Sequence, residues 1–385
     1  LLQEMLITPN IRPQHKEAAE DCSVQVGRIN SYISFCIIFG RKRKMSTGKK
    51  IIVTGGAGFI GSHTVVELCK AGFHPVIVDD FSNSEPFIVE RLNELCGTTL
   101  PFYECDCTDK NAFRKIFEKE RPSGIIHFAA CKAVGESVAQ PLKYYHNNIG
   151  SLVVVLELMK DFGVNDLVFS SSCTVYGQPE QVPVSESSPS KQAMSPYGYT
   201  KVVCEQIIED VIASGQALRC VLLRYFNPIG AHPSGRIGEL PRGVPNNLIP
   251  YITQTAAGQR SSLTIHGNDY STVDGTCIRD YIHVVDLADA HVKALEWIHS
   301  ETDEPLREVF NVGTGKGETV LEVVNTFKKI SGIDVPYTVG PRRSGDVEQI
   351  WASTEKVEQL LGWKARLSLA DALRDAWNWQ KQLKA

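Results

Sequence analysis

The sequence predicts an α/β chain, a doubly wound parallel sheet followed by a smaller C-terminal α/β lobe. Three observations predict it. From residue 50, short β-branched runs alternate with longer helical stretches, the pattern of a parallel sheet covered on both faces. A glycine-rich turn follows the first of those runs directly. After Phe226 prolines and glycines crowd the chain before further short strands and helices appear. A chain of 385 residues can bury a core of this size, as two domains or as one domain with a lobe.

The elements follow in order. Ile51–Thr54 reads as a buried strand, and Phe59–Lys70 as a helix that stops at Gly72. Strands are expected at Val76–Asp79, Phe102–Cys105, Gly124–Phe128, Leu167–Ser170 and Cys220–Arg224, with helices over 142–162 and 198–214. The stretch Pro228–Pro250 reads as loop with a short helix after it. Segments near 282–300 and 309–313 can return to the first sheet. A last helix starts at Ser368, where Asp371 three residues on makes a capping-box-like opening.

Composition excludes several functions. A net charge of −4 without a long basic stripe argues against nucleic acid as a partner. The eleven cysteines are scattered without metal-ligand spacing, which suggests reduced thiols in a cytoplasmic protein, with no metal and no disulfide framework. The apolar run Ile33–Phe39 is too short to span a bilayer. Its basic cluster, Arg41–Lys44, follows the run, whereas a secretory signal carries its positive charge first. Residues 1–45 are read as a disordered leader and Met45 as the natural start, with no membrane association.

Gly55-Gly-Ala-Gly-Phe-Ile-Gly61 lies between the first strand and its helix. Gly55, Gly58 and Gly61 permit a tight turn, close approach to a pyrophosphate and close helix–strand packing, which makes the sheet Rossmann-type. Phe59 and Ile60, at the helix N-terminus, are expected to meet the same ligand. Asp79 ends the second strand, where a carboxylate accepts from a ribose 2′-hydroxyl and repels a 2′-phosphate. Asp80 adds negative charge and no arginine follows closely, so NAD is favoured over NADP.

Tyr197 and Lys201 lie four apart on one helix face. That spacing alone more often marks an ordinary half-exposed helix. The serine run Ser170-Ser-Ser172, at the C-terminal end of a strand, raises its meaning, because open parallel sheets bind ligands at that edge. A free tyrosine titrates near ~10, and a base working near neutrality needs about 4 kcal/mol of help. A lysine ammonium and a positive nicotinamide ring are the expected sources. Ser172 can share a hydrogen bond with the substrate oxygen.

From Met45 onward the chain resembles the UDP-glucose 4-epimerases of the extended short-chain dehydrogenase/reductase superfamily. The resemblance rests on Val53–His63, Ile126–Ala130 with Lys132–Ser137, the serine run, and Ser195–Gly198. Leu223–Pro228, Gly230–Gly235, Pro245–Pro250, Gly267–Tyr270 and Arg279–His283 continue it in family order. It implies reversible C4 epimerisation of UDP-glucose and UDP-galactose through a transient 4-keto sugar, using tightly bound NAD. It makes Tyr197 the base, Lys201 its partner at the nicotinamide ribose, and Ser172 the second contact to the hydroxyl. Phe128, Lys132, Asn147 and Phe226 match positions around the nicotinamide half of NAD, and Asp106 one near the adenine. Asn227, Asn247, Leu248, Arg279, Arg343 and Asp346 match those that hold the nucleotide and diphosphate. Residues 46–226 would form the NAD-binding domain and 227–385 the nucleotide-sugar-binding lobe. A homodimer through helices near 144–160 and 198–213 is also implied.

The chain departs from the family at four places. His266 replaces an aromatic residue beside the uracil, Ile350 stands at a position of variable size near the sugar, Asp80 replaces a frequent asparagine, and Cys173 replaces alanine. Nucleotide-sugar dehydratases of the same superfamily carry an Asp–Glu pair where this chain has Cys173 and Thr174, and decarboxylases also want an acid there. A non-catalytic NAD sensor would not need Tyr197, Lys201 and Ser172 together. Deleting residues 1–44 is expected to leave activity and melting temperature unchanged; an insoluble or inactive truncation would make the leader part of the fold.

Overall fold

A computed structural model describes residues 48–189, 193–301, 304–343 and 346–383. The expected leader lies outside the described residues. The chain runs β1 (Lys50–Thr54), α1 (Phe59–Lys70), β2 (His74–Asp79), α2 (Phe87–Cys96), β3 (Phe102–Glu104), α3 (Lys110–Glu120) and β4 (Gly124–His127). Two short helices, α4 (Val134–Ala139) and α5 (Pro141–Tyr144), lead through a π-type turn at Tyr145–Ile149 into α6 (Gly150–Phe162). Then come β5 (Asp166–Ser172), a 3₁₀ turn at Cys173–Tyr176, α7 (Pro196–Ala213) and β6 (Arg219–Tyr225).

The second half continues with β7 (Asn227–Ile229), α8 (Leu248–Ala256), β8 (Leu263–His266), β9 (Ile278–Arg279), β10 (Tyr281–His283) and α9 (Val284–Glu301). It closes with β11 (Leu306–Val312), β12 (Glu318–Thr319), α10 (Val320–Ser331), β13 (Tyr337–Gly340), β14 (Gln349–Ile350), α11 (Glu355–Leu361) and α12 (Leu369–Gln382).

Seven strands pair in parallel in the order β11-β6-β5-β4-β1-β2-β3. The order reverses between β1 and β4, the point at which such sheets open a crevice for ligands. Each strand serves two cores because its side chains alternate. Ile51, Val53, Ile77, Ile126, Val168, Val221 and Leu223 face α1, α2 and α9. Ile52, Val76, Val78, Ile125, Leu167, Phe169 and Leu222 face α3, α6 and α7. That double burial is why the strands read as continuous apolar runs. The late strand β11 pairs with β6 from Leu306↔Arg219 to Val312↔Tyr225, so a segment beyond Phe226 completes the first sheet.

The lobe is built from short pairs, β7 with β10, β8 with β13, and β9 between β12 and β14. Ile249, Ile252, Leu263, Ile265, Val323, Phe327 and Leu373 form its core. Local chemistry sets the helix starts: the Asp109 carboxylate accepts from Asn111 N and Ala112 N at α3, and capping boxes open α10 (Thr319, Glu322) and α12 (Ser368, Asp371). No helix among the described residues is long and apolar enough to cross a membrane.

One ion pair is buried under the sheet edge. Glu205 on α7 accepts from Arg224 Nε at 2.9 Å and Nη2 at 2.5 Å, and from the Ser171 hydroxyl at 2.5 Å. Arg224 also donates to the Tyr176 hydroxyl at 3.1 Å. Arg224→Met leaves the Glu205 carboxylate buried, with Arg307 at 3.8 Å as the cation beside it. The expected loss is about 3 kcal/mol, read as a lower urea midpoint, while the double change with Glu205→Leu regains at least half of it. Equal losses in single and double variants would show that the two side chains do not depend on each other.

Candidate active site

The glycine turn is forced by contact. Gly55 has φ +68°, and a Cβ there would lie 3.1 Å from Ala129 N. A Cβ on Gly61 would collide with the carbonyl oxygen of Gly55. No side chain caps α1 at Gly58, and no acidic residue lies in its first turn. The N–H groups at Phe59, Ile60 and Gly61 therefore face an anion site with favourable dipole sign.

Asp79, buried at the end of β2, braces this turn. Its Oδ2 accepts from Ala57 N at 2.9 Å, and its Oδ1 accepts from Phe81 N at 3.0 Å and the Ser84 hydroxyl at 2.6 Å. Burial raises its pKa, while the hydrogen bonds from Ser84 and Phe81 pull it back. Three of roughly four acceptor positions are used, so one remains for a hydroxyl. Asp80 and Asp106 are exposed on the loops after β2 and β3, each holding a nearby hydroxyl and N–H, of Ser82 and Thr108. The cradle fits a dinucleotide with a free ribose hydroxyl.

The chemical residues meet where β5 ends. Ser172 Oγ accepts from Thr174 N at 3.2 Å and lies beside the Tyr197 phenol, whose proton affinity it lowers. The Ser195 hydroxyl caps α7 by accepting from Gly198 N at 3.2 Å. Tyr197 and Lys201 follow one turn apart on its buried face, 9% and 4% exposed. Lys201 Nζ donates to the Ser170 carbonyl at 2.7 Å and lies 5.1 Å from the Phe169 ring.

Burial governs the titration of both side chains. Burial lowers Lys201 to about 8. Burial, reinforced by the Tyr225 phenol, raises Tyr197 above its ordinary value, against the pull of Ser172. The lysine ammonium donates to the Ser170 carbonyl. In the protein alone desolvation outweighs any help from the lysine, because an anionic phenolate is penalised in a dry site.

The other expected residues surround this point unevenly. Phe128 follows β4, its ring 4.7 Å from that of His291. Lys132, half exposed, lies 6.0 Å from the Phe59 ring and 3.5 Å from the Glu239 carboxylate. Asn147 is in the π-type turn and donates to Asn148 at 3.2 Å. Asn148 is buried and bonds both Cys131 N and Cys131 O, together with Thr200. Its clamp role had no sequence signal, since its partners lie 17 and 52 residues away. Phe226 packs in one cluster with Val175, Tyr176, Val184, Ile350 and Ala352, so the end of β6 and the lobe share a wall.

On the lobe, Asn227 starts β7, Asn247 stands just before α8 without a side-chain cap bond, and Leu248 is the helix's first residue. Arg279 Nη2 is 3.8 Å from Asp346, and β9 pairs Arg279 with Ile350. Arg343 is exposed, and its carbonyl accepts from Asp346 N at 3.3 Å. His266 Nδ1 is 3.2 Å from the Pro341 carbonyl, which ties β8 to the segment after β13. Arg279 also acts on Cys173, whose thiol burial pushes up to about 12. The lobe's arginine thus reaches the residue next to Ser172.

Comparison with known proteins agrees with this geometry. A family model described as GDP-mannose 4,6 dehydratase matches residues 52–376. The UDP-glucose 4-epimerase of Bacillus subtilis is 50% identical over 330 residues, 86% of this chain and 96% of that one. The crystal structure of the Stenotrophomonas maltophila UDP-glucose-4-epimerase, with bound NAD and formylated UDP-arabinopyranose, is 46% identical. It superposes with a TM-score of 0.84, covering 87% of this chain and 99% of that one. The Bifidobacterium longum enzyme, in complex with NAD+ and UDP, gives 0.84 at 43% identity, covering 87% and 98%. With this identity along nearly the whole length of those enzymes, the chain belongs to the UDP-glucose 4-epimerase family.

Proposed function

We propose that the protein interconverts UDP-glucose and UDP-galactose at C4 of the sugar, with NAD held between the glycine turn and α7. The observation that carries this is the buried Ser172–Tyr197–Lys201 set at the sheet edge, beside a cradle suited to a 2′-hydroxyl dinucleotide. When bound, NAD supplies the acceptor and donor of the hydride at C4. Gly55, Gly58, Phe59, Ile60, Gly61, Asp79, Asp80 and Asp106 would hold its adenosine and diphosphate side. Phe128, Lys132, Asn147, Lys201 and Phe226 would hold the other.

Tyr197 takes the proton of the 4-hydroxyl and returns it to the same oxygen after the sugar has turned its other face. Ser172 hydrogen-bonds that oxygen throughout. Lys201, fixed by the Ser170 carbonyl, keeps a cation near the phenol's helix turn at neutral pH. Asn227, Asn247, Leu248, Arg279, Arg343 and Asp346 would grip the UDP, which lets the ring turn over while the nucleotide stays put. Residues 46–226, joined by α9 and β11 which return to the first sheet, serve the dinucleotide, and the rest of 227–385 the nucleotide sugar. We further propose a cytoplasmic homodimer. Exposed Leu142, Val153 and Tyr199 on α5, α6 and α7 support that face as the contact, and sedimentation tests it.

Purified protein incubated with UDP-galactose and no added NAD is expected to form UDP-glucose, and Tyr197→Phe to lower the rate at least a hundredfold with NAD retained. Near-normal turnover in that variant would remove Tyr197 from the role of base.

Ile350 is 4% exposed and backs onto Phe226 and Arg279. Its β-branched side chain is stiff, which limits room beside the sugar C2. UDP-glucose and UDP-galactose are expected to be preferred over UDP-N-acetylglucosamine, by about 1–3 kcal/mol in kcat/KM. Ile350→Ser narrows that gap. Equal efficiency in the wild type, or no gain in the variant, would show that Ile350 does not set the preference.

A further inference from the structure

A line of contacts crosses from the dinucleotide turn to the lobe through a residue that the proposed chemistry does not use. Phe59 opens α1, and the Lys132 ammonium lies 6.0 Å from its ring centroid. Glu239 Oε1 is 3.5 Å from that ammonium and accepts from Asn247 Nδ2 at 2.5 Å. One carboxylate oxygen therefore serves a side chain from the cofactor half and one from the nucleotide half. The Glu239 side chain is 11% exposed, against 46% for Lys132, so the anion is the sheltered member of the pair.

The backbone that carries Glu239 is held on every side. Trp379 Nε1 donates to the Glu239 carbonyl at 2.9 Å, and a Cβ on Gly238 would strike the Trp379 ring. Upstream, Arg91 Nη1 donates to the Arg236 carbonyl at 2.8 Å and Arg236 pairs with Glu94. Downstream, Arg242 donates to the carbonyls of Ser82 and Ser84, at 3.0 and 2.8 Å, and to Glu85 at 3.0 Å. These anchors fasten the segment to α2 and to the loop after Asp79, leaving the carboxylate little freedom to follow its partners. The partners must follow it.

We propose that Glu239 is a positioning residue that couples the two ligand sites by holding Lys132 and Asn247 on a shared carboxylate. An ionised carboxylate only accepts, so it turns the Asn247 amide with Nδ2 inward and leaves Oδ1 to face a donor. It also draws the Lys132 ammonium away from solvent, towards the Phe59 turn. Ordering either partner by its ligand orders the carboxylate for the other, which makes binding of each ligand favour the other by the same factor. This rests on the ligand assignments proposed above for Lys132 and Asn247.

The test measures NAD affinity of the full chain with and without saturating UDP, by fluorescence of the bound nucleotide or by dialysis. In the wild type UDP is expected to tighten NAD at least fivefold. Glu239→Gln keeps the shape and an acceptor for Asn247 but loses the charge that holds Lys132, and should reduce the effect to under twofold. Lys132→Met, at a half-exposed position, should do the same, and the double variant should lose no more than either single one. A wild type without coupling, full coupling in both variants, or additive losses would each overturn the proposal. Because these are binding measurements, a wild type that couples NAD and UDP but does not turn over UDP-galactose would sink the epimerase reading alone.

Discussion

The whole site depends on how α7 is fastened to the end of β5. Lys201 Nζ donates to the Ser170 carbonyl and Glu205 accepts from the Ser171 hydroxyl, so two long side chains one helical turn apart seize two adjacent strand residues. Tyr197 lies one turn before Lys201 and beside Ser172 of the same strand. A helix advances roughly 6 Å in four residues and a strand about 3.3 Å in one. Arg224 neutralises Glu205 from β6, so the neighbouring strand takes part in the same lock.

Electrostatics then separates holding from activating. The protein's own environment raises the Tyr197 phenol through burial and lowers Lys201 to about 8. Both shifts disfavour charge, and both come from the dryness that makes any added charge act strongly at short range. In the role proposed for it, Tyr197 would need a positive group in the pocket to release its proton.

Much of this was legible in the sequence. The seven sheet strands, including the return of a late segment to the sheet edge, follow from apolar runs at βα spacing, and β11 lies within three residues of the expected stretch. The glycine turn was readable because Gly55 and Gly61 occupy places where a Cβ cannot fit. What could not be read is pairing at long range. Glu205, Asn148 and Glu239 are ordinary polar residues in a one-dimensional text, and their importance comes from partners 8 to 107 residues away. Spacing likewise puts Tyr197 and Lys201 on one helix face, but it does not reveal that the Ser170 carbonyl holds the lysine ammonium.

The match to a dehydratase family model poses a sharper question, since one scaffold serves reactions with different proton demands. Elimination of water from a sugar needs an acid and a base beyond the tyrosine, which the residues after Ser172 would have to supply. The residue after Ser172 is Cys173, half-buried, its thiol pushed up by burial to about 12 despite the nearby Arg279. A thiol so reluctant to ionise cannot serve as a base at neutral pH. Thr174, the next residue, has a hydroxyl that is buried without a partner among the described residues, and an alcohol cannot replace a carboxylate as a proton carrier. With Tyr197 as the proposed base, one group that removes a proton and gives it back to the same oxygen is sufficient for inversion at C4 and insufficient for loss of water, and neither Cys173 nor Thr174 supplies the further carboxyl group that loss of water needs.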